Sequence, residues 1–136
     1  MQSNEITLVV DELNDGDTTA DSTEVWTRFE EYQNRSTYIR ADHSLDARRT
    51  LSLYRSFPKV NGNFKGVSKT SLKFTTDTSV DGVDGVTSLT APIIVEVNFS
   101  IPVGATAAEV LIVRQRALAL LDLDAVMDPL NNQLMI

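Results

Sequence analysis

The hydrophobic period of this chain changes once, from that of a strand to that of a helix, and the change falls late. From Ile93 to Ile101 apolar residues alternate strictly: Ile93, Val95, Val97, Phe99 and Ile101 share one side, and Ile94, Glu96, Asn98 and Ser100 the other. That alternation specifies a strand, which Pro102 and Gly104 close. Thr106-Ala107-Ala108-Glu109 then forms a capping box, in which a threonine hydroxyl and a glutamate carboxylate satisfy backbone N–H groups of a first helical turn. The spacing predicts a helix from there to about Leu123. Val110, Leu111, Val113, Ala117, Leu118, Leu120 and Leu121 cover well over half its circumference, so it should be buried on several sides. Pro129 is expected to break or start a short second helical segment near Asp124 to Leu130. Strands first and helices last define an α+β class, with helices on one face of an antiparallel sheet.

The preceding segments fit that class. Ile6 to Val10 is a β-branched run ended by the turn formers Asn14-Asp15-Gly16-Asp17, which predicts an N-terminal β-hairpin. Val25, Trp26, Phe29 and Tyr32 are spaced as in either a helical turn or a twisted strand, and the strand is preferred. Arg48 to Phe57 places Leu51 and Leu53 opposite Thr50, Ser52 and Tyr54. Asn61-Gly62 supplies a turn, and Val67 to Thr76 places Leu72 and Phe74 opposite Lys69, Ser71, Lys73 and Thr75, so the two strands should pair as a hairpin. Thr76 to Thr90, with Asp81-Gly82 and Asp84-Gly85 among small polar residues, reads as a long connecting loop.

A chain of 136 residues, 42% of them hydrophobic, suits a single domain spanning 1–136. One or two helices, each about 10 Å across, cannot cover a wide sheet whose strands are spaced by about 4.8 Å. Exchange of helices between two copies would cover it, so an obligate homodimer is expected, with the strand from 91 to 102 as the edge that pairs across the two-fold axis. The alternative is a compact monomer whose N-terminal hairpin supplies the cover.

There is no cysteine, which removes disulfides, thiolate metal sites and thiol catalysis. The single histidine, His43, lies in the polar stretch Ala41 to Asp46, which reads as a solvated turn. No cofactor and no metal are expected. No apolar run is long enough to span a membrane, and the polar, acidic first residues do not form a secretory signal, so a soluble protein made in the cytoplasm is expected.

The formal net charge of −7 conceals a strong segregation. Residues 1–31 hold nine acids and one base, and residues 76–136 eight acids and two bases, whereas residues 32–75 hold nine bases and two acids. If the middle segment forms neighbouring strands, its bases should gather into one phosphate-binding patch. A solvated charged face is the bland alternative.

A basic alternating hairpin, a glycine-containing loop, a strand ending Asn98-Phe99-Ser100-Ile101-Pro102 and an amphipathic C-terminal helix together resemble the coat proteins of single-stranded RNA bacteriophages, the leviviruses. The likeness covers about Arg48 to Leu123. It implies an N-terminal hairpin, a five-stranded antiparallel sheet and two C-terminal helices interlocked with those of a second subunit. It further implies that dimers close into an icosahedral shell in quasi-equivalent conformations, and that the segment matching Thr76 to Thr90 sits at the symmetry axes. The sheet would face the interior of the virion and bind an RNA hairpin at the replicase start, repressing translation and marking the genome for packaging. Assembly would take place in the bacterial host cytoplasm.

Strand alternation then names the candidate RNA-binding residues as Arg48, Thr50, Ser52, Tyr54, Lys69, Ser71, Lys73, Thr75, Glu96 and Asn98, all on polar faces. The resemblance points first to Ser71 and Lys73. It also implies an aromatic that stacks on an unpaired base where this chain has Ile94, leaving Tyr54 as the alternative stacking side chain. Competing readings are a small dimeric RNA-binding regulator that builds no shell, and an extracellular β-rich module holding calcium through Asp77, Asp81 and Asp84, which lack the ligand order of a calcium loop. No nucleophile is paired with a base or metal, so an enzyme is not expected and no small-molecule substrate is implied.

Overall fold

The structure, a computed structural model, describes residues 3–11 and 21–132. They form one 6-stranded antiparallel sheet whose spatial order is the chain order. The strands are β1 (Glu5–Val10), β2 (Ser22–Tyr32), β3 (Arg35–Arg40), β4 (Arg49–Ser56), β5 (Val67–Asp81) and β6 (Ser88–Pro102), followed by α1 (Ala107–Leu121) and α2 (Asp124–Asn132). The expected α+β layout therefore holds, with the N-terminal hairpin continuing the sheet as its first two strands. The turn expected at Asn14 to Asp17 and the apolar end Leu134 to Ile136 lie outside the described residues.

The helix-like spacing within β2 has a local cause. Arg28 pairs with Tyr38 and Glu30 with Thr37, so Phe29 is the extra residue of a β-bulge that resets the alternation. Beyond the bulge the pairing continues, offset by one residue, to Tyr32 opposite Arg35.

The Asn61-Gly62 turn forms between β4 and β5, with a bridge from Asn61 to Phe64 and Gly62 at φ +59°. It fixes Leu51 against Phe74 and Leu53 against Leu72, as alternation requires. The long loop expected from Thr76 to Thr90 is not observed. β5 continues to Asp81 and β6 begins at Ser88, paired without interruption from Val67↔Pro102 to Asp81↔Ser88. Thr76, Thr78 and Ser79 are compatible with pleated backbone, and unbroken hydrogen bonding replaces the apolar face that would have marked a strand. A ribbon thus projects past the start of β4, closed by a short turn in which Asp84 accepts from the N–H groups of Val86 (3.0 Å) and Thr87 (2.9 Å).

Trp26, Tyr38 and Leu51 are buried, with Ile6, Leu8, Leu53, Leu72 and Phe74 packed against them. The Tyr38 hydroxyl donates to the Ser3 carbonyl at 2.7 Å, and Trp26 meets Phe74 edge to face at 5.8 Å between ring centroids. The N-terminal hairpin therefore covers one half of the apolar face. The other half is open: Ile93 and Val95 of β6 are 56% and 49% exposed.

β6 is a free edge. The Asp77 N–H donates to the Arg48 carbonyl and the Val103 N–H to the Gly66 carbonyl, which fixes the parity of the ladder. Ile94, Glu96, Asn98 and Ser100 therefore turn their backbone groups outward, in a row bracketed by Pro92 and Pro102, which have no N–H.

α1 begins at Thr106 with the expected capping box and ends at Leu121. It buries none of its residues. Pro129 lies inside α2 instead of breaking it, at the cost of one intrahelical bond. No helix among the described residues is long and apolar enough to cross a membrane.

Candidate nucleic-acid interface

Cross-strand register assembles the polar face as a grid. One row runs Ile39, Thr50, Thr75, Ile94; the next Thr37, Ser52, Lys73, Glu96; the next Arg35, Tyr54, Ser71, Asn98. Ser56, Lys69 and Ser100 form a shorter fourth row. Residues opposite one another in antiparallel strands share a face, so all the strand residues named from alternation lie together. Arg48 has the same parity just before β4. Apolar alternation does not single out β3, so Arg35 and Thr37 are absent from the candidates read from sequence; the run Ser36-Thr37-Tyr38-Ile39 is the signal that could have found them.

The centre of the grid is mixed in charge. Lys73 stands directly opposite Glu96, and the Ser71 hydroxyl donates to the Glu96 carboxylate at 3.3 Å. A phosphate approaching Lys73 therefore meets Glu96 unless that carboxylate is accepting from a base amine. Ile94 is 49% exposed and Tyr54 38%, so the aromatic surface on this face comes from Tyr54.

The bases do not gather into the single patch expected from their order along the chain. Alternation sends Arg40, Arg49 and Arg55 to the opposite face from Lys69 and Lys73. Carboxylates engage several of them: Arg35 pairs with Glu30 at 3.0 Å, Arg40 with Glu24 and with Asp42 at 2.6 Å, and Arg49 with Asp42 at 3.6 Å. Arg48 pairs with Asp77 through its Nε at 3.0 Å and its Nη2 at 3.1 Å. The hydrogen bond from the Arg48 guanidinium, helped by the Arg48 backbone N–H, holds the Asp77 carboxyl below the usual carboxylate range. Asp42 is lowered likewise, chiefly by its hydrogen bond from Arg40.

His43, Asp77 and Asp84, also singled out from sequence, have structural partners. His43 Nδ1 accepts from the Arg49 N–H at 3.0 Å and so organises the turn before β4. Asp77 faces Arg48 and Asp84 caps the ribbon turn, so these carboxylates do not converge as a cation site among the described residues.

This sheet followed by two helices is a fold shared with proteins of levi-like bacteriophage particles. The chain is similar over 96% of its length, and 95% of the other chain, to a protein of the virus-like particle of bacteriophage AVE019, at 20% identity and a TM-score of 0.73. For the virus-like particle of Beihai levi-like virus 32 the values are 20% identity and 0.64, covering 81% of this chain and 82% of that one. For the bacteriophage EMS014 coat protein they are 15% and 0.60, covering 89% and 73%. No protein-family model matches the sequence, and no curated protein matches it.

Proposed function

We propose that this chain is the coat subunit of a levi-like RNA bacteriophage: a structural, non-catalytic protein whose dimers build an icosahedral shell around the genome in the bacterial cytoplasm. The observation that carries this reading is the fold match over nearly the full length of both chains to proteins of phage virus-like particles. Within the dimer, α1 of each copy lies over the open apolar half of the other's sheet, burying surface that neither copy covers alone.

The two β6 edges pair antiparallel about the two-fold axis, with Glu96 opposite Asn98, Ile94 opposite Ser100 and Val97 opposite its own copy. This register sets Pro92, which has no N–H to donate, against Pro102, which has none either, so that the pairs between them exchange both of their N–H···O bonds, and it keeps the two Glu96 carboxylates from standing directly opposite each other. The polar grid then runs continuously through both copies and faces the RNA. Lys73 and Lys69 supply phosphate contacts, Ser52, Ser71, Thr75 and Asn98 supply hydrogen bonds to base or sugar, and Tyr54 supplies stacking. Binding of a hairpin at the replicase start would make the same surface a translational repressor.

Negative-stain microscopy of the protein expressed alone, with the nucleic-acid-to-protein absorbance ratio taken on the same size-exclusion peak, tests the reading. Uniform closed particles containing RNA are expected. A small dimer free of RNA would reject the shell and favour a binding module on the same fold.

A further inference from the structure

The chain from residue 47 to 76 holds seven bases and no acid. Two of them, Arg48 and Arg49, are held by Asp77 and Asp42 at one end of the β4–β5 hairpin. The other five, Arg55, Lys59, Lys65, Lys69 and Lys73, form no ion pair with a described carboxylate. Four of these cluster toward the connection between β4 and β5, residues 57–66. The uncompensated positive charge is therefore displaced from the centre of the grid, where Glu96 sits, to the end of the hairpin.

The same connection exposes aromatic surface that no core residue uses. Phe57 is 74% exposed and Phe64 51%. Beside Ser56 and Lys69, the last row of the polar grid, they line an open hollow of about 510 Å³. The element is built, not slack: Asn61 and Phe64 exchange backbone hydrogen bonds of 2.9 and 3.0 Å. Gly66, at φ +94°, leaves room for the Lys59 carbonyl, which a Cβ there would meet at 2.3 Å. Rigid exposed aromatics among unneutralised lysines are what single-stranded nucleic acid recognises, by stacking of bases and pairing of phosphates.

We infer that the β4–β5 connection is a second RNA contact, taking single-stranded RNA without strong sequence preference through Phe57 and Phe64 and through Lys59, Lys65 and Lys69. It rests on the coat-protein reading in that the polar grid is turned toward RNA, and it extends that surface past the sheet.

The test is fluorescence anisotropy of a labelled oligouridylate with dimers of the full chain across a salt series. Lys59→Gln with Lys65→Gln should weaken binding and lower the slope of log affinity against log salt by about 1.4, at about 0.7 for each phosphate no longer neutralised. Phe57→Ser with Phe64→Ser should weaken it about ten-fold for each stacked base released, at unchanged slope. Affinity and slope equal to those of the unaltered protein overturn the inference. Photocrosslinking of unaltered protein to thiouridine RNA avoids any folding defect in the variants: adducts on Phe57 or Phe64 are expected, and adducts confined to the sheet overturn it. Particle formation separates the two ideas. Variants that still close into shells but bind oligouridylate normally remove this contact and leave the coat reading standing.

Discussion

The carboxylate of Asp77 grips both the backbone and the side chain of Arg48: it accepts from the Arg48 N–H at 2.9 Å, from Nε at 3.0 Å and from Nη2 at 3.1 Å. The Asp77 carbonyl accepts in turn from Arg49 Nη1 at 2.8 Å. These contacts sit where β4 begins and the β5–β6 ribbon goes on alone, so they clamp the root of the ribbon to the sheet.

Asp77→Ala should therefore loosen the ribbon without unfolding the sheet. Amide hydrogen exchange is expected to quicken several-fold in residues 78–90 and to stay unchanged at Tyr38 and Leu51. Uniform quickening across the sheet would show that Asp77 supports global stability and is no clamp.

The ribbon turn should respond to acid. Hydrogen bonds from the Thr87 hydroxyl, the Thr87 N–H and the Val86 N–H lower the Asp84 carboxyl from 3.8 to about 2. A carboxyl depressed in the folded state contributes stability that is complete above its unfolded value and is lost as pH falls through its folded value. The Val86 and Thr87 amide resonances should therefore titrate with a midpoint near 2 and lose the transition in Asp84→Ala. A midpoint near 4, the ordinary carboxylate value, would remove Asp84 as the cap.

The dimer register can be read with one cysteine, because the chain has none of its own. In the proposed pairing Val97 faces itself in a non-hydrogen-bonded position, about 4.5 Å between Cα atoms, within disulfide reach. Oxidised Val97→Cys should run as a covalent dimer on a non-reducing gel, whereas Val95→Cys should remain largely monomeric. The reverse pattern would move the two-fold axis to Val95 and shift the register by about four residues.

On the polar face, Lys73→Ala should weaken binding of a cognate RNA hairpin about ten-fold and reduce the salt slope by about 0.9, with dimers intact. Glu96→Gln should act in the opposite direction, tightening binding by removing the carboxylate opposite Lys73. Filter binding at several salt concentrations measures both, and unchanged affinity in Lys73→Ala takes that lysine out of the interface.

The parts of the fold legible in the sequence are those where burial imposes alternation. Leu51 and Leu53, Leu72 and Phe74, and Val95 and Val97 define their strands because one side of each is apolar, and Thr106 and Glu109 mark the helix start through a local hydrogen-bonding need. The ribbon is illegible because it has no apolar buried face: backbone pairing and a hydroxyl contact between Ser79 and Ser88 hold it, and neither leaves a periodic trace. The polar grid can be read strand by strand, but its electrostatics cannot. Arg48 and Asp77 lie far apart in sequence, and only the register set by Asn61-Gly62 brings them together. Counting charges along the chain thus finds a basic segment and misses that part of it is neutralised.

The leucines of α1 have consequences for how such a chain behaves in a cell. α1 buries none of them in its own chain, so in the proposed dimer foldedness becomes a function of concentration, because the free energy that holds the helix would arrive with the second copy. Folding and association become one second-order process, and the unfolding midpoint should rise with protein concentration. Newly made subunits at low abundance would stay open to proteolysis, and stable protein would accumulate only once synthesis is fast enough for copies to meet. A threshold on supply is then built into the subunit itself, ahead of any control exerted through RNA.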